Sequence, residues 1–254
     1  MKVHHINCVK IKSPFGPAIG HCLLLVENDK LVLVDSGIGV DETRKPDQLL
    51  GKELVDRTGY VLDENITAFN QIKQLGFDPN KVEDIICSHL DPDHIGGLID
   101  FPKAKVHISQ EEFESFQLGI DRYLPRQLSH NPKVELYKIN DSNIFGLPAR
   151  KLNLAFKTNF YFIPLFGHTS GHCAIAFKTD GRWILYVGDA YYYRAELTNK
   201  EHPVDQLATI AAVDNEMRKE SLEKLRKIIK NFGDELYYFG YHDPKELDSK
   251  VFLN

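Results

Sequence analysis

The sequence predicts a sheet-rich α/β sandwich in which helices lie between and after the strands. Short runs rich in Val, Leu and Ile alternate with segments of helical periodicity, a pattern that favours packed layers over a helical bundle. The 254 residues, 43% of them hydrophobic, are enough to bury one large core, and the chain shows no internal repeat. We therefore expect residues 1–254 to form a single domain.

The first predicted elements are two strands joined as a hairpin. "HCLLLVEN" (21–28) and "KLVLVDSG" (30–37) are apolar runs separated by the turn-forming pair Asn28 and Asp29. The second strand is expected to end at Asp35, the first acidic residue after the apolar run. A polar side chain is thereby placed at a strand end.

A helix and two further strands are predicted next. The helix is indicated by apolar residues at helical spacing, namely Ile66, Phe69, Ile72 and Leu75. Gly76 is placed to terminate it, before "EDIICS" (83–88) begins a buried strand. "AKVHIS" (104–109) is another strand, and Ser109 with Glu112 forms a capping box for the following helix.

The segment 114–150 is expected to be a loop or a broken helical insert, because the helical pattern weakens from Gly119 onward. Strand signals return in three runs: 159–165, 172–178 and 182–189. An amphipathic helix follows, with apolar positions at Met217, Leu222, Leu225, Ile228 and Ile229. The last predicted strand, "ELYYFG" (235–240), directly precedes Tyr241 and His242.

Composition and charge exclude several classes of partner. The net charge of −5 and the pI near 6.1 leave no basic face for a phosphate backbone, so nucleic acid is not an expected partner. The N-terminus has no secretory apolar core and no run of about 18 apolar residues occurs, so we expect a cytoplasmic protein without a membrane partner. Four dispersed cysteines are interpreted as reduced core thiols: Cys8, Cys22, Cys87 and Cys173.

Seven metal-capable side chains follow apolar strands within a few residues. They are His89, Asp91, Asp93, His94, His168, Asp189 and His242. Because strand ends meet at one edge of a layered sheet protein, we expect these side chains to converge. Imidazole and carboxylate together suit zinc, iron, manganese or cobalt, and several carboxylates allow two cations to share a site. Other histidines are interpreted as satisfied polar groups: His4, His5, His21, His107, His130 and His202.

The stretch "SHLDPDHIGG" (88–97) resembles the H-x-H-x-D-H signature of the metallo-β-lactamase superfamily, with Asp91 in the place of the second histidine. Four further motifs resemble those of the family, in the family order: "LVDSG" (33–37), "FGHTSGH" (166–172), "YVGDA" (186–190) and "YHDP" (241–244). The resemblance covers residues 20–244. It implies an αβ/βα four-layer sandwich of the metallo-β-lactamase type, with two mixed sheets face to face, helices outside and metals at one edge.

The resemblance also implies two divalent metal ions. The expected ligands of the first are His89, Asp91 and His168. The expected ligands of the second are Asp93, His94 and His242. Asp189 would bridge the two ions, and Asp35 would orient a ligand histidine through a hydrogen bond. His172 would be structural.

Asp91 is the main departure from the family pattern. A carboxylate in place of a neutral imidazole makes the first position more anionic and richer in oxygen, which favours iron or manganese relative to zinc. Zinc is the expected metal, with iron and manganese as alternatives. Three interpretations of Asp91 stay open: a direct ligand, a ligand through water, or an emptied first position that leaves one metal at the second.

The implied chemistry is hydrolysis of a small-molecule ester or lactone. Two cations that share a water lower its pKa, so that hydroxide attacks a carbonyl carbon, and Asp93 is the candidate proton acceptor. Tyr192 matches in position a tyrosine that acyl-homoserine lactonases of the superfamily direct at the substrate carbonyl. The alternative is an aromatic strand end or a lid contact. We expect a monomer or a homodimer.

Two other functions stay open because the acyl-homoserine lactonases keep the second histidine. Flavodiiron redox proteins of the superfamily carry glutamate at the position of Asp91 and use two irons, but they also carry a flavodoxin-like domain for which these residues leave no room. A metal-binding member without hydrolase activity is the other alternative. Apolar residues in or near the insert either wall an acyl pocket or form the insert's own core: Phe116, Leu118, Tyr123, Leu124 and Phe145.

Overall fold

The computed structural model describes residues 1–138 and 142–247, and two mixed β-sheets form its centre. The strands in these residues are β1 (Lys2–Ser13), β2 (Gly16–Glu27), β3 (Lys30–Val34), β4 (Tyr60–Val61), β5 (Val82–Ile86), β6 (Lys105–Ser109), β7 (Val134–Tyr137), β8 (Ser142–Ile144), β9 (Leu147–Lys151), β10 (Phe160–Pro164), β11 (Cys173–Thr179), β12 (Arg182–Tyr186) and β13 (Leu236–Phe239). The α-helices are α1 (Val40–Arg44), α2 (Pro46–Leu49), α3 (Lys52–Thr58), α4 (Ala68–Gln74), α5 (Pro92–Ile95), α6 (Gln110–Gln117), α7 (Asp205–Ala211), α8 (Asn215–Phe232) and α9 (Pro244–Leu247).

The first sheet has the strand order β4-β1-β2-β3-β5-β6-β7. Its strands from β4 to β3 pair antiparallel, whereas β3, β5, β6 and β7 pair parallel. The second sheet has the order β13-β12-β11-β10-β9-β8 and is antiparallel except for the pair β12 and β13. Parallel neighbours end at the same edge of a sheet, which places the loops after β3, β5, β12 and β13 where they can meet.

One apolar core joins the facing sheets. Leu23 and Ile86 of the first sheet belong to the same buried cluster as Phe162 and Phe177 of the second. Because β2 and β3 are covered on both faces, their sequences are continuous apolar runs and not alternating ones. Helix α8 packs on the second sheet through a buried stripe that includes Leu222 and shares a second cluster with β11 and β12. The expected αβ/βα sandwich is confirmed.

Most of the predicted elements are confirmed. The hairpin of β2 and β3 turns at Asn28, whose φ of 56° is the left-handed conformation that a tight turn needs. Helix α6 begins after Ser109, whose side chain accepts a hydrogen bond from the Glu112 amide at 3.2 Å. All four cysteines are buried free thiols. None of the described helices is both long and apolar enough to cross a membrane.

The structure differs from the expected loop or broken helix in segment 114–150. After α6 ends, the described part of this segment contains a 3-10 turn at Pro125–Leu128 and the strands β7, β8 and most of β9, while residues 139–141 lie outside the description. These strands lie at or near a sheet edge and are partly exposed, so their sequences lack the long apolar runs of β2 and β3. Strand β1 was also absent from the prediction, because its Lys, His and Asn residues break the apolar pattern.

Candidate metal centre

The seven predicted donors come together at one end of the sandwich. His89 and Asp91 follow β5, and the short helix α5 carries Asp93 and His94. Asp91 occupies the N-cap position of α5 and Pro92 its first turn, so the chain bends sharply between the donors. The remaining donors follow β10, β12 and β13 respectively: His168, Asp189 and His242.

The first donor group consists of His89, Asp91 and His168, whose ligand atoms lie within 4.8 Å of one another. Asp91 Oδ2 lies 3.2 Å from His89 Nε2 and 3.0 Å from His168 Nε2. The carboxylate oxygen therefore stands between the two imidazole nitrogens that are expected to hold the first ion.

The second donor group consists of Asp93, His94 and His242, which also have their ligand atoms within 4.8 Å. Asp189 connects the two groups. Its Oδ1 lies 3.4 Å from His94 Nε2, and its Oδ2 lies 3.2 Å from His242 Nε2 and 3.3 Å from His168 Nε2. The structure therefore places this carboxylate between the two groups, as a bridging ligand would have to lie.

Three buried atoms test whether these residues fit a metal. His89 Nε2, His94 Nε2 and Asp189 Oδ1 are buried and make no hydrogen bond within the part of the chain that the structure describes. Buried polar atoms are normally paired, since leaving one unpaired costs about 1–3 kcal/mol. A divalent cation among these nitrogen and oxygen donors would satisfy all three, and the donor set suits zinc, iron or manganese. The residues fit the metal.

The electrostatics of the centre keep His89 neutral and Asp189 charged. Burial and the neighbouring His94 lower the pKa of His89 well below its usual value, which keeps the imidazole neutral as a ligand must be. Burial alone would raise the pKa of Asp189, but His242 and His94 hold it well below its usual value. The carboxylate therefore stays charged.

A buried carboxylate, Asp35, orients the second donor group. Its Oδ2 accepts hydrogen bonds from His94 Nδ1 at 2.8 Å and from the Tyr186 hydroxyl at 2.6 Å, and its Oδ1 accepts one from the Ser88 amide at 2.7 Å. Because Nδ1 of His94 is committed to Asp35, Nε2 points toward the centre. The expected hydrogen bond from Asp35 to a histidine of the motif is present.

His172 lies beside the donors without joining them. Its Nδ1 donates to the Leu165 carbonyl at 2.9 Å, and its Nε2 accepts from the Asp189 amide at 3.0 Å. Both ring nitrogens are thus used by the backbone, as expected for a structural residue. The contact also fixes the start of the turn that carries Asp189.

The sequence did not indicate Arg122, which lies between α6 and the 3-10 turn at Pro125–Leu128. Its Nε and Nη2 bind the two oxygens of Asp91, each at 2.5 Å. Burial would raise the pKa of Asp91, but the guanidinium of Arg122 and His89 hold it well below its usual value. No spacing or composition marks an arginine in a weakly patterned segment as a partner of a residue 31 positions away.

Glu112 and Tyr60 were also missed as parts of the site. Glu112 was predicted only as a helix-capping residue, but its buried carboxylate ties the loop after β5 to the loop after β10. Oε1 accepts from the Leu90 amide at 2.9 Å, and Oε2 accepts from the Thr169 hydroxyl at 2.6 Å.

Tyr60 is the second residue that was missed. Burial and the neighbouring Asp93 raise the pKa of its phenol well above the usual value.

A cavity of about 500 Å³ opens over the donors. The ring of Tyr192 lies at its base, with centroids 5.1 Å from the His242 ring and 6.0 Å from the His168 ring. Its apolar walls come from β1, β2, α3, α7 and the residue before α7: Ile11, Ala18, Leu54, Leu207, Ile210 and Val204. The apolar residues of the insert that the structure describes do not line it. Phe145, for example, packs against Trp183 and Phe232.

The fold and the donors define a class, an αβ/βα sandwich with a centre for divalent metal ions at one end of its two sheets. A family model described as the metallo-beta-lactamase superfamily matches residues 15–230. The chain belongs to that superfamily.

Individual relatives agree with this assignment. A probable metallo-hydrolase of Mycobacterium tuberculosis is 35% identical over 79% of this chain, and the match spans 66% of that relative's length. An N-acyl homoserine lactonase of a Bacillus species is 24% identical over 91% of this chain and 84% of its own. A solved N-acyl homoserine lactone hydrolase, with the product N-hexanoyl-L-homoserine at its catalytic metal centre, shares the fold with a TM-score of 0.74 at 20% identity, over 98% of this chain and 95% of its own.

Proposed function

We propose that the protein is a metal-dependent hydrolase that cleaves a small ester or lactone. The observation that carries the proposal is the position of the donors, which lie at the base of an apolar cavity and include three buried atoms without a hydrogen-bond partner among the described residues. The probable metallo-hydrolase and the lactonases among the similar proteins support the same chemistry.

The two donor groups would each hold one divalent ion, with Asp189 between them. Bound ions of this kind activate water for attack and polarise a carbonyl group. Asp93 is the residue we assign to accept the proton of that water, because its carboxylate lines the cavity, with Oδ2 4.0 Å from His242 Nε2. His89 and His94, each with a buried Nε2 aimed at the centre, would act only as ligands.

Tyr192 is the candidate donor to the oxyanion that forms during attack. Its ring lies against His242 and His168 and also lines the cavity, so its phenol is placed over both donor groups. A preorganised donor of this kind is worth about 3–4 kcal/mol of transition-state stabilisation. The apolar walls from β1, α3 and α7 would take the acyl part of the substrate.

The proposal is tested with the metal-loaded protein on a panel of N-acyl lactones, aryl esters and thioesters, with ring opening or ester cleavage followed by a pH indicator. We expect turnover that a chelator abolishes and that added zinc or manganese restores. Tyr192→Phe should lower kcat about 100-fold or more with the metal content unchanged. Bound metal without turnover on any member of the panel would contradict the proposal and favour a metal-binding role.

A further inference from the structure

Arg122 uses its guanidinium entirely within the first donor group and its surroundings. Two nitrogens bind the two oxygens of Asp91, Nη2 also lies 3.0 Å from His168 Nε2, and Nη1 donates to the Ala211 carbonyl. The side chains of Arg122 and Asp91 are only 18% and 14% exposed, so water screens the contact poorly. The fork is the geometry in which guanidinium binds carboxylate most strongly.

These contacts compete with a metal ion for the same electron pairs. An imidazole nitrogen has one lone pair, which can accept a hydrogen bond from Arg122 or bind a cation, but not both. At His168 the guanidinium stands within hydrogen-bond distance of that nitrogen. At Asp91 it binds both oxygens, and although each keeps a second lone pair, the carboxylate becomes a weaker ligand for a cation. Two of the three ligands in the first donor group are therefore already engaged by a positive charge.

Among the residues that the structure describes, the second donor group has no such competitor. Its nearest charged partner outside the donors is the carboxylate of Asp35, which binds His94 on the side away from the centre. A carboxylate behind a ligand histidine raises the basicity of the ligand, whereas a guanidinium in front of a ligand carboxylate lowers it. A cation approaching the first donor group also meets the charge of Arg122 at close range.

We infer that Arg122 sets the metal occupancy of the centre: its guanidinium engages Asp91 and His168, so the first donor group binds a divalent ion weakly while the second binds one tightly. The inference rests on the metal centre of the proposed function and not on its substrate. It also changes the metal preference that is expected from the carboxylate of Asp91. The pair of Asp91 and Arg122 is neutral overall, as the histidine of the family pattern is, so the negative charge expected to favour iron or manganese is cancelled.

The test is a zinc titration of the chelator-treated protein by calorimetry, followed by counting of zinc per chain after dialysis. The wild type should show one tight and one weak step. In Arg122→Gln the weak step should become about 10–100-fold tighter, the size of effect typical of groups that contact metal ligands. Adding His168→Ala to that variant should remove the gain, which places it in the first donor group.

Two matched variants separate the explanations. Arg57 lines the same cavity and makes no ion pair among the described residues. Arg57→Gln should therefore titrate like the wild type. Arg122→Lys keeps the charge but not the fork, and its weak step should stay weak. Equal gains in Arg57→Gln or Arg122→Lys, or an unchanged or weaker step in Arg122→Gln, would overturn the inference. Absence of turnover with normal zinc steps would overturn only the proposed substrate chemistry.

Discussion

The two donor groups of the metal centre contain the same kinds of ligand but differ in their surroundings. In the second group, His94 donates to the buried carboxylate of Asp35, and His242 donates from Nδ1 to the Ile19 carbonyl at 2.9 Å. In the first group, Asp91 is bound by the guanidinium of Arg122. The histidines of the second group donate hydrogen bonds to acceptors on the side away from the centre. In the first group, a candidate ligand is bound by a cationic side chain.

A list of ligands therefore does not determine the strength of a metal site. The donor atoms decide which ions are acceptable, but the residues that contact the ligands decide how available their electron pairs are. Asp91 is the unusual candidate ligand in the sequence, and the structure pairs it with Arg122. Three sets of variants test this difference between the two donor groups.

Asp189→Ala should weaken zinc binding at both donor groups. Its carboxylate lies within 3.4 Å of His94, His168 and His242, so removal takes a ligand from each group and leaves the histidines crowded without an anion. We expect both zinc steps to weaken by about 100-fold or more, beyond the effect of any group outside the ligands. Calorimetric titration measures this, with Tyr192→Phe as the control that keeps both steps. Equal zinc loss in the two variants would contradict the bridging assignment.

Asp35→Asn should reduce the difference in zinc affinity between the two donor groups by weakening the second group. The amide cannot hold His94 as a charged acceptor, so the tight zinc step, assigned to the second donor group, should weaken by about 10–100-fold while the weak step changes little. Asp84→Asn is a matched control, because Asp84 binds the buried His107 at 2.7 Å in the same manner but outside the donor groups. Its zinc titration should match the wild type. A loss confined to the weak step of Asp35→Asn would show that the two steps have been assigned to the wrong donor groups.

Asp91→His should restore the family ligand but leave Arg122 without its carboxylate. We expect the single variant to fold with a free energy of unfolding lowered by about 1–3 kcal/mol, less than for a fully buried pair because both side chains are partly exposed. The double variant Asp91→His with Arg122→Gln should regain stability in urea denaturation and hold more zinc than the wild type. If the double variant held less zinc, Asp91 would not be at a ligand position.

Much of the fold and the convergence of the seven candidate donors could be predicted from the sequence. The apolar runs of β2, β3 and β5 and the periodic stripe of α8 are local patterns, because burial on both faces or on one stripe imposes them directly. The convergence of the donors could be predicted because each lies just after a strand, and strand ends meet at one edge of a layered sheet protein. Strand β1 and the strands of segment 114–150 were missed because partly exposed strands at or next to a sheet edge carry no comparable pattern.

The architecture, the family and the candidate metal-binding residues can therefore be predicted from local patterns, because periodicity and motif spacing are properties of short stretches. The contacts of those residues are set by the tertiary structure. Arg122 lies 31 positions from Asp91, Glu112 lies 57 positions from Thr169, and Asp35 lies 59 positions from His94. Such pairings depend on how loops from different strands meet in space. A charged residue that contacts a ligand there changes how available the ligand's electron pairs are, but it leaves no local signal in the sequence.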